Sequence, residues 1–141
     1  MNRLLIVGIT LALGTSACAA NAQTSSAQNE ISTAHAHALL AQSATSVAMV
    51  HTHLHHVINC LVGPSGDGFD AAAGTPCKGQ GKGAIPDTAA DHALHAKLES
   101  ALADAQAGLK SESLAAAQQD AGKAATGLQG ASTAKASSSS W

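Results

Sequence analysis

Met49-Val50-His51-Thr52-His53-Leu54-His55-His56-Val57-Ile58-Asn59-Cys60 is the stretch whose reading decides the fold, and it holds four of the chain's eight histidines. Wound as a helix at about 100° per residue, it separates into three stripes. Val50, Leu54, Val57 and Leu61 share one face, with Val47 and Ile58 at its margin, and this is an apolar core face. Met49, His53, His56 and Cys60 share a second edge, and His51 and His55 lie on the opposite flank. A single histidine at a helix flank needs no ligand, because water or backbone satisfies its ring nitrogens. Four in six residues are different. Protonated together they would stack like charges along one turn, whereas neutral imidazoles at helical spacing are metal ligands. Met49, His51, His53, His55 and His56 are therefore candidate ligands.

Outward from this stretch, no Gly or Pro occurs between Gln23 and Val62. Leu39, Leu40, Val47, Val50, Leu54, Val57, Ile58 and Leu61 keep a helical period. The pattern predicts one long helix over about 28–61, with Ser25-Ser26-Ala27-Gln28 as a possible capping box at its start. Ser43-Ala44-Thr45-Ser46 is its weak point, since poor helix formers cluster there. A break at that point gives two helices. On an unbroken helix His35 extends the Met49 edge and His37 extends the His51 edge.

Gly63-Pro64 ends the helix and opens a long Gly/Pro-rich loop over 63–88. Cys60 and Cys77 flank this loop. Pairing them in a disulfide ties the loop to the helix end, and the alternative is Cys60 as a thiolate ligand one turn from His56. Asp67-Gly68-Phe69-Asp70 lacks the ligand series of a calcium loop. Gly79-Gln80-Gly81-Lys82-Gly83 lacks the spacing of a phosphate loop. Asp87, after Pro86, is the expected N-cap of a helix over 88–107, whose Leu94, Leu98, Ala101, Leu102 and Ala105 form a core stripe. His92, His95 and Glu99 lie a quarter-turn away, and the two histidines join the candidate ligands. Gly108 should end this helix. Ser111 or Ser113 should start the last one, with Leu114, Ala117, Ala121, Ala124 and Leu128 facing inward to about Gly130.

Composition fits this reading. The chain has 141 residues and a formal charge of −2, and Phe69 and Trp141 are its only aromatics. There is no basic patch with interleaved aromatics, so nucleic acid is not an expected partner. No run of residues alternates as a strand does. The fold class expected is all-α: a small antiparallel helical bundle of one long helix and two shorter ones, or four helices if the first breaks.

The N-terminus reads as a secretory signal over 1–22. Met1-Asn2-Arg3 is a positive n-region, Leu4 to Leu13 an apolar stretch too short to span a bilayer, and Ala20-Asn21-Ala22 a cleavage site. Thr15-Ser16-Ala17-Cys18 is an imperfect lipobox, which would instead make Cys18 a lipidated N-terminus. The mature part divides into a helical metal-binding domain over 23–130 and a disordered tail over 131–141. No transmembrane segment is expected in it. The compartment implied is the periplasm, where disulfides persist.

Alanine- and histidine-rich helices at 35–56 and 92–95 behind a signal sequence resemble the small periplasmic metal-binding proteins of the SmbP type. The resemblance implies a four-helix bundle that binds copper and other divalent metals. The chain departs from that pattern in its loop around Cys77 and in a last helix nearly free of histidine. The function expected is buffering or transport of copper, or of nickel or zinc, without catalysis. No nucleophile elbow or oriented acid–base pair is present. A haem-binding electron carrier without covalent attachment and a metal-free envelope interaction or stress protein, with an envelope protein as partner, are the alternatives.

Overall fold

A computed structural model describes residues 16–138, and side chains within 26–133. The expected n-region, the whole apolar signal segment and Trp141 fall outside the described residues, as does the side chain of Cys18. The described chain is all-helical. Its elements are α1 (Ser16–Ser43), α2 (Val47–Val62), a one-turn α3 (Ala84–Asp87), α4 (His92–Lys110) and α5 (Leu114–Ser138). None of these helices is long and apolar enough to cross a membrane.

The first helical segment breaks where helix formers are weakest. Ala44, Thr45 and Ser46 leave the helix, and Ser46 turns extended to become the N-cap of α2, its Oγ accepting from the Met49 N–H at 3.3 Å. The long-helix reading therefore gives way to its four-helix alternative, with α1 and α2 as an antiparallel hairpin. Gln118 of α5 donates from Nε2 to the Ala44 carbonyl at 2.9 Å, so the turn is tied to the far helix.

All four long helices bury a stripe that advances by four, then three, residues. In α1 it is Ala27, Ile31, Ala34, Ala38 and Ala41. In α2 it is Val50, Leu54, Val57 and Leu61. In α4 it is Leu94, Leu98, Ala101, Ala105 and Gly108, and in α5 Ala117, Ala121, Ala124, Leu128 and Ala131. This 3.5-residue repeat is the seam of helices packed at a shallow left-handed crossing. In α1 the seam is alanine apart from Ile31, and Leu39 and Leu40, which the sequence reading counted in the helical period, are half exposed. Small residues let the backbones come close. At Gly108 a Cβ would run into the side chain of Leu54, so this glycine sits inside α4 as part of the seam and does not end it.

Three boundaries differ from the sequence reading for local reasons. Asp91 caps α4, its Oδ1 accepting from the Leu94 N–H at 3.1 Å, because Asp87 is committed to α3 and takes the Lys82 N–H on Oδ2. Ser25 lies inside α1, so no capping box starts there. The last helix runs beyond Gly130, where a tail is expected, to Ser138, with Ala131 buried in the core. Ser113 is the residue that caps it, accepting from the Ala116 N–H at 3.2 Å.

The loop over 63–83 folds back over the end of α2. Gly63 ends that helix at φ 70°, a conformation that favours glycine, and a Cβ there would meet the Lys82 carbonyl. A disulfide joins Cys60 to Cys77, with the Cα atoms 5.3 Å apart. Asn59, buried beside it, holds the loop independently. Its Nδ2 donates to the carbonyls of Asp70 and Gly74, each at 2.7 Å, and its Oδ1 accepts from the Asp70 N–H at 2.8 Å. Glu30 of α1 fixes the other end by accepting the Gly83 N–H at 2.8 Å. Burial pushes the Glu30 carboxyl up to about 7, with the Asp87 charge adding to the rise and the Gly83 bond opposing it.

Candidate metal centre

The turn at Ala44–Ser46 folds α1 back along α2, and Thr45 lies midway in sequence between His37 and His53. An antiparallel hairpin with its turn there brings these two residues level. His56, three residues after His53, follows on the same face of α2. His37 Nδ1 stands 3.2 Å from His53 Nδ1 and 3.3 Å from His56 Nδ1. The three ring centroids lie between 4.6 and 5.9 Å apart. His37, His53 and His56 are, among the described residues, the group of three ligand-bearing side chains that could hold a metal ion.

The distances fit that chemistry. Metal–imidazole bonds of about 2.0–2.1 Å at tetrahedral angles place ligand nitrogens ~3.3 Å apart. Where lone pairs of neutral imidazoles stand this close, a proton or a cation must sit between them. The neighbouring loop selects the tautomer. His56 Nε2 lies 2.7 Å from the Ala73 carbonyl, which only accepts, so Nε2 carries the hydrogen and Nδ1 keeps its lone pair toward the cluster. A backbone carbonyl behind a ligand histidine also fixes ring orientation and makes the ligand more basic.

Burial favours the neutral form of His37 and of His53. Desolvation pushes His37 down to about 4, and the neighbouring His56 and His53 add to the shift. His53 is lowered for the same first reason, with His56 second. A neutral imidazole is the form that ligates, so little proton competition opposes a metal at neutral pH.

The remaining candidates are dispersed. His51 donates from Nε2 to the Ser111 carbonyl at 3.1 Å, across to the end of α4. His55 faces Asp70, its Nδ1 3.6 Å from Oδ2, beyond hydrogen-bond reach. The i, i+4 pair thus turns to two different partners. His95 donates from Nδ1 to the Ile85 carbonyl at 3.1 Å, with Nε2 3.5 Å from Glu99, and His92 is exposed at the start of α4. Met49 is half exposed. Cys60 is in the disulfide, which removes it as a thiolate ligand. Of the histidines singled out in sequence, the structure joins His53 and His56, and it adds His37. The signal for His37 was the weak stretch at Ser43–Ser46: once the helix folds back there, His37 leaves the His51 edge and faces His53.

No family model, curated protein or solved structure matches this chain.

Proposed function

We propose that this protein binds a transition-metal ion through Nδ1 of His37, His53 and His56, and that it buffers or carries the ion without catalysing a reaction. The observation that supports this is that His37 Nδ1, on α1, lies within 3.3 Å of Nδ1 of both His53 and His56 on α2, with the His56 tautomer fixed by Ala73. Copper is the ion favoured, since imidazole sites bind copper(II) above nickel and zinc along the divalent series. The sequence signal at 1–22 puts this role in the periplasm, where the Cys60–Cys77 bond would persist. The test is calorimetric titration of the mature protein with copper(II), nickel(II) and zinc(II) at neutral pH. One ion per chain, bound more tightly than by free histidine and lost in His37→Ala, is the result expected. Binding that matches free histidine, or that persists unchanged in His37→Ala, would remove the reading.

A further inference from the structure

The three imidazoles leave the coordination of a bound ion incomplete, and the surroundings say what completes it. We propose that the ion held by His37, His53 and His56 takes its fourth ligand from outside the chain, and that this ligand is a small anion. The inference rests on the metal-binding reading above. A borderline divalent ion seeks four donors, and sites with three protein ligands keep the fourth position for an exchangeable one. Among the described residues no further His, Cys, Asp or Glu joins the three within reach of one ion.

Two other donors lie on this edge of α2. Cys60, one turn beyond His56, is buried and bonded to Cys77. Met49, one turn before His53, is half exposed.

Charge selects an anion. The three donors are neutral imidazoles, so a divalent ion would keep its whole charge. Asp70, the acid that reaches the histidine stretch of α2, is committed. Its Oδ1 accepts the N–H groups of Ala72 at 2.9 Å and Ala73 at 3.3 Å, and its Oδ2 faces His55. Nothing in that arrangement neutralises the ion, whereas an incoming anion does. All three rings are only partly buried, which leaves a route for exchange.

Cobalt(II) in place of the native ion makes this visible, because its d–d bands report coordination number and ligand type. Mature protein is loaded with one equivalent of cobalt(II) in chloride-free buffer and titrated with sodium azide. The expected result is tetrahedral bands that shift saturably with one azide per cobalt, and neither bands nor shift in His37→Ala. Tetrahedral bands that azide leaves unchanged would overturn the proposal, since a protein group would then hold the fourth position. A response that appears only in Met49→Ala would overturn it too, and would name the Met49 thioether as that group. Absence of cobalt bands in the wild-type chain is a separate outcome: it removes the metal site itself.

Discussion

His56 sends one ring nitrogen to the carbonyl of Ala73, 2.7 Å away, and the other to Nδ1 of His37, 3.3 Å away. One residue thereby connects the loop over 63–83 to the histidine cluster. The loop sets the tautomer, and the tautomer decides which nitrogen is available to a metal.

Asn59 should matter to the site without touching it. Its three hydrogen bonds hold Asp70 and Gly74 on either side of Ala73. Asn59→Ala leaves buried backbone groups without partners and should cost on the order of 2–4 kcal/mol of stability. It should also weaken metal affinity by about 10–100-fold, the usual effect of losing support behind a ligand histidine. Thermal melts and chelator competition on the same variant measure both. An affinity equal to wild type would show that the loop does not orient His56.

The disulfide should act on stability far more than on the site. It closes a loop across a sequence separation of 17. Chain entropy alone gives about 3 kcal/mol for a loop of this size. Cys60→Ser/Cys77→Ser should therefore melt roughly 10 °C lower. Metal affinity should stay within a few-fold of wild type, because Asn59 still clamps the loop. Differential scanning calorimetry and competition with a chromophoric chelator check the two halves.

Ligand substitutions should divide seven of the eight histidines sharply. His37→Ala, His53→Ala and His56→Ala should each lower affinity by more than ~100-fold, beyond the range seen for supporting residues. His51→Ala, His55→Ala, His92→Ala and His95→Ala should leave it nearly unchanged, since His51 bonds Ser111, His55 faces Asp70, His95 lies against Ile85 and Glu99, and His92 is exposed. Parallel titrations of the seven variants give the result.

The helical class, the core stripes of α2, α4 and α5, and the Cys60–Cys77 bond follow from period, spacing and the pairing expected of two cysteines in an oxidising compartment. What does not follow is which histidines meet. Stripe geometry on one helix ranks His51 with His55 as readily as His53 with His56. Only the partner helix decides between them. That decision turns on Ser43–Ser46, where a modest deficit in helix propensity becomes a chain reversal because α1 can then bury its alanine seam. The same seam hides the true core face of α1, since Leu39 and Leu40 look more apolar than Ala34, Ala38 and Ala41. The extension of α5 past Gly130 is similarly a tertiary effect, with Ala131 gaining burial.

Glu30 and His37 should give the stability of the chelator-treated protein opposite pH slopes. His37 is lowered from 6.5 to about 4 on folding. The unfolded chain therefore takes up its proton first, and the contribution is whole above pH 6.5 and lost as pH falls toward 4. Glu30 is raised from 4.5 to about 7, so the folded chain binds the proton first. Its burial costs stability above pH 7, and that cost falls away as pH drops toward 4.5. Glu30→Gln, whose amide oxygen can still accept the Gly83 N–H, should raise the melting temperature above pH 7 and steepen the loss in acid. His37→Asn should flatten that loss. Melting temperatures from pH 4 to 8 for the three proteins test both signs, and parallel curves would contradict them.

Nitrogen NMR of the histidine rings in protein carrying one equivalent of zinc(II) tests the central claim most directly. Zinc is diamagnetic, and the shifts of Nδ1 and Nε2 distinguish a proton, a lone pair and a metal bond. Metal-bound Nδ1 with protonated Nε2 is expected at His37, His53 and His56, with the other histidines unmoved. Metal-bound signals at His51, His55, His92 or His95, or none at His37, would contradict the account.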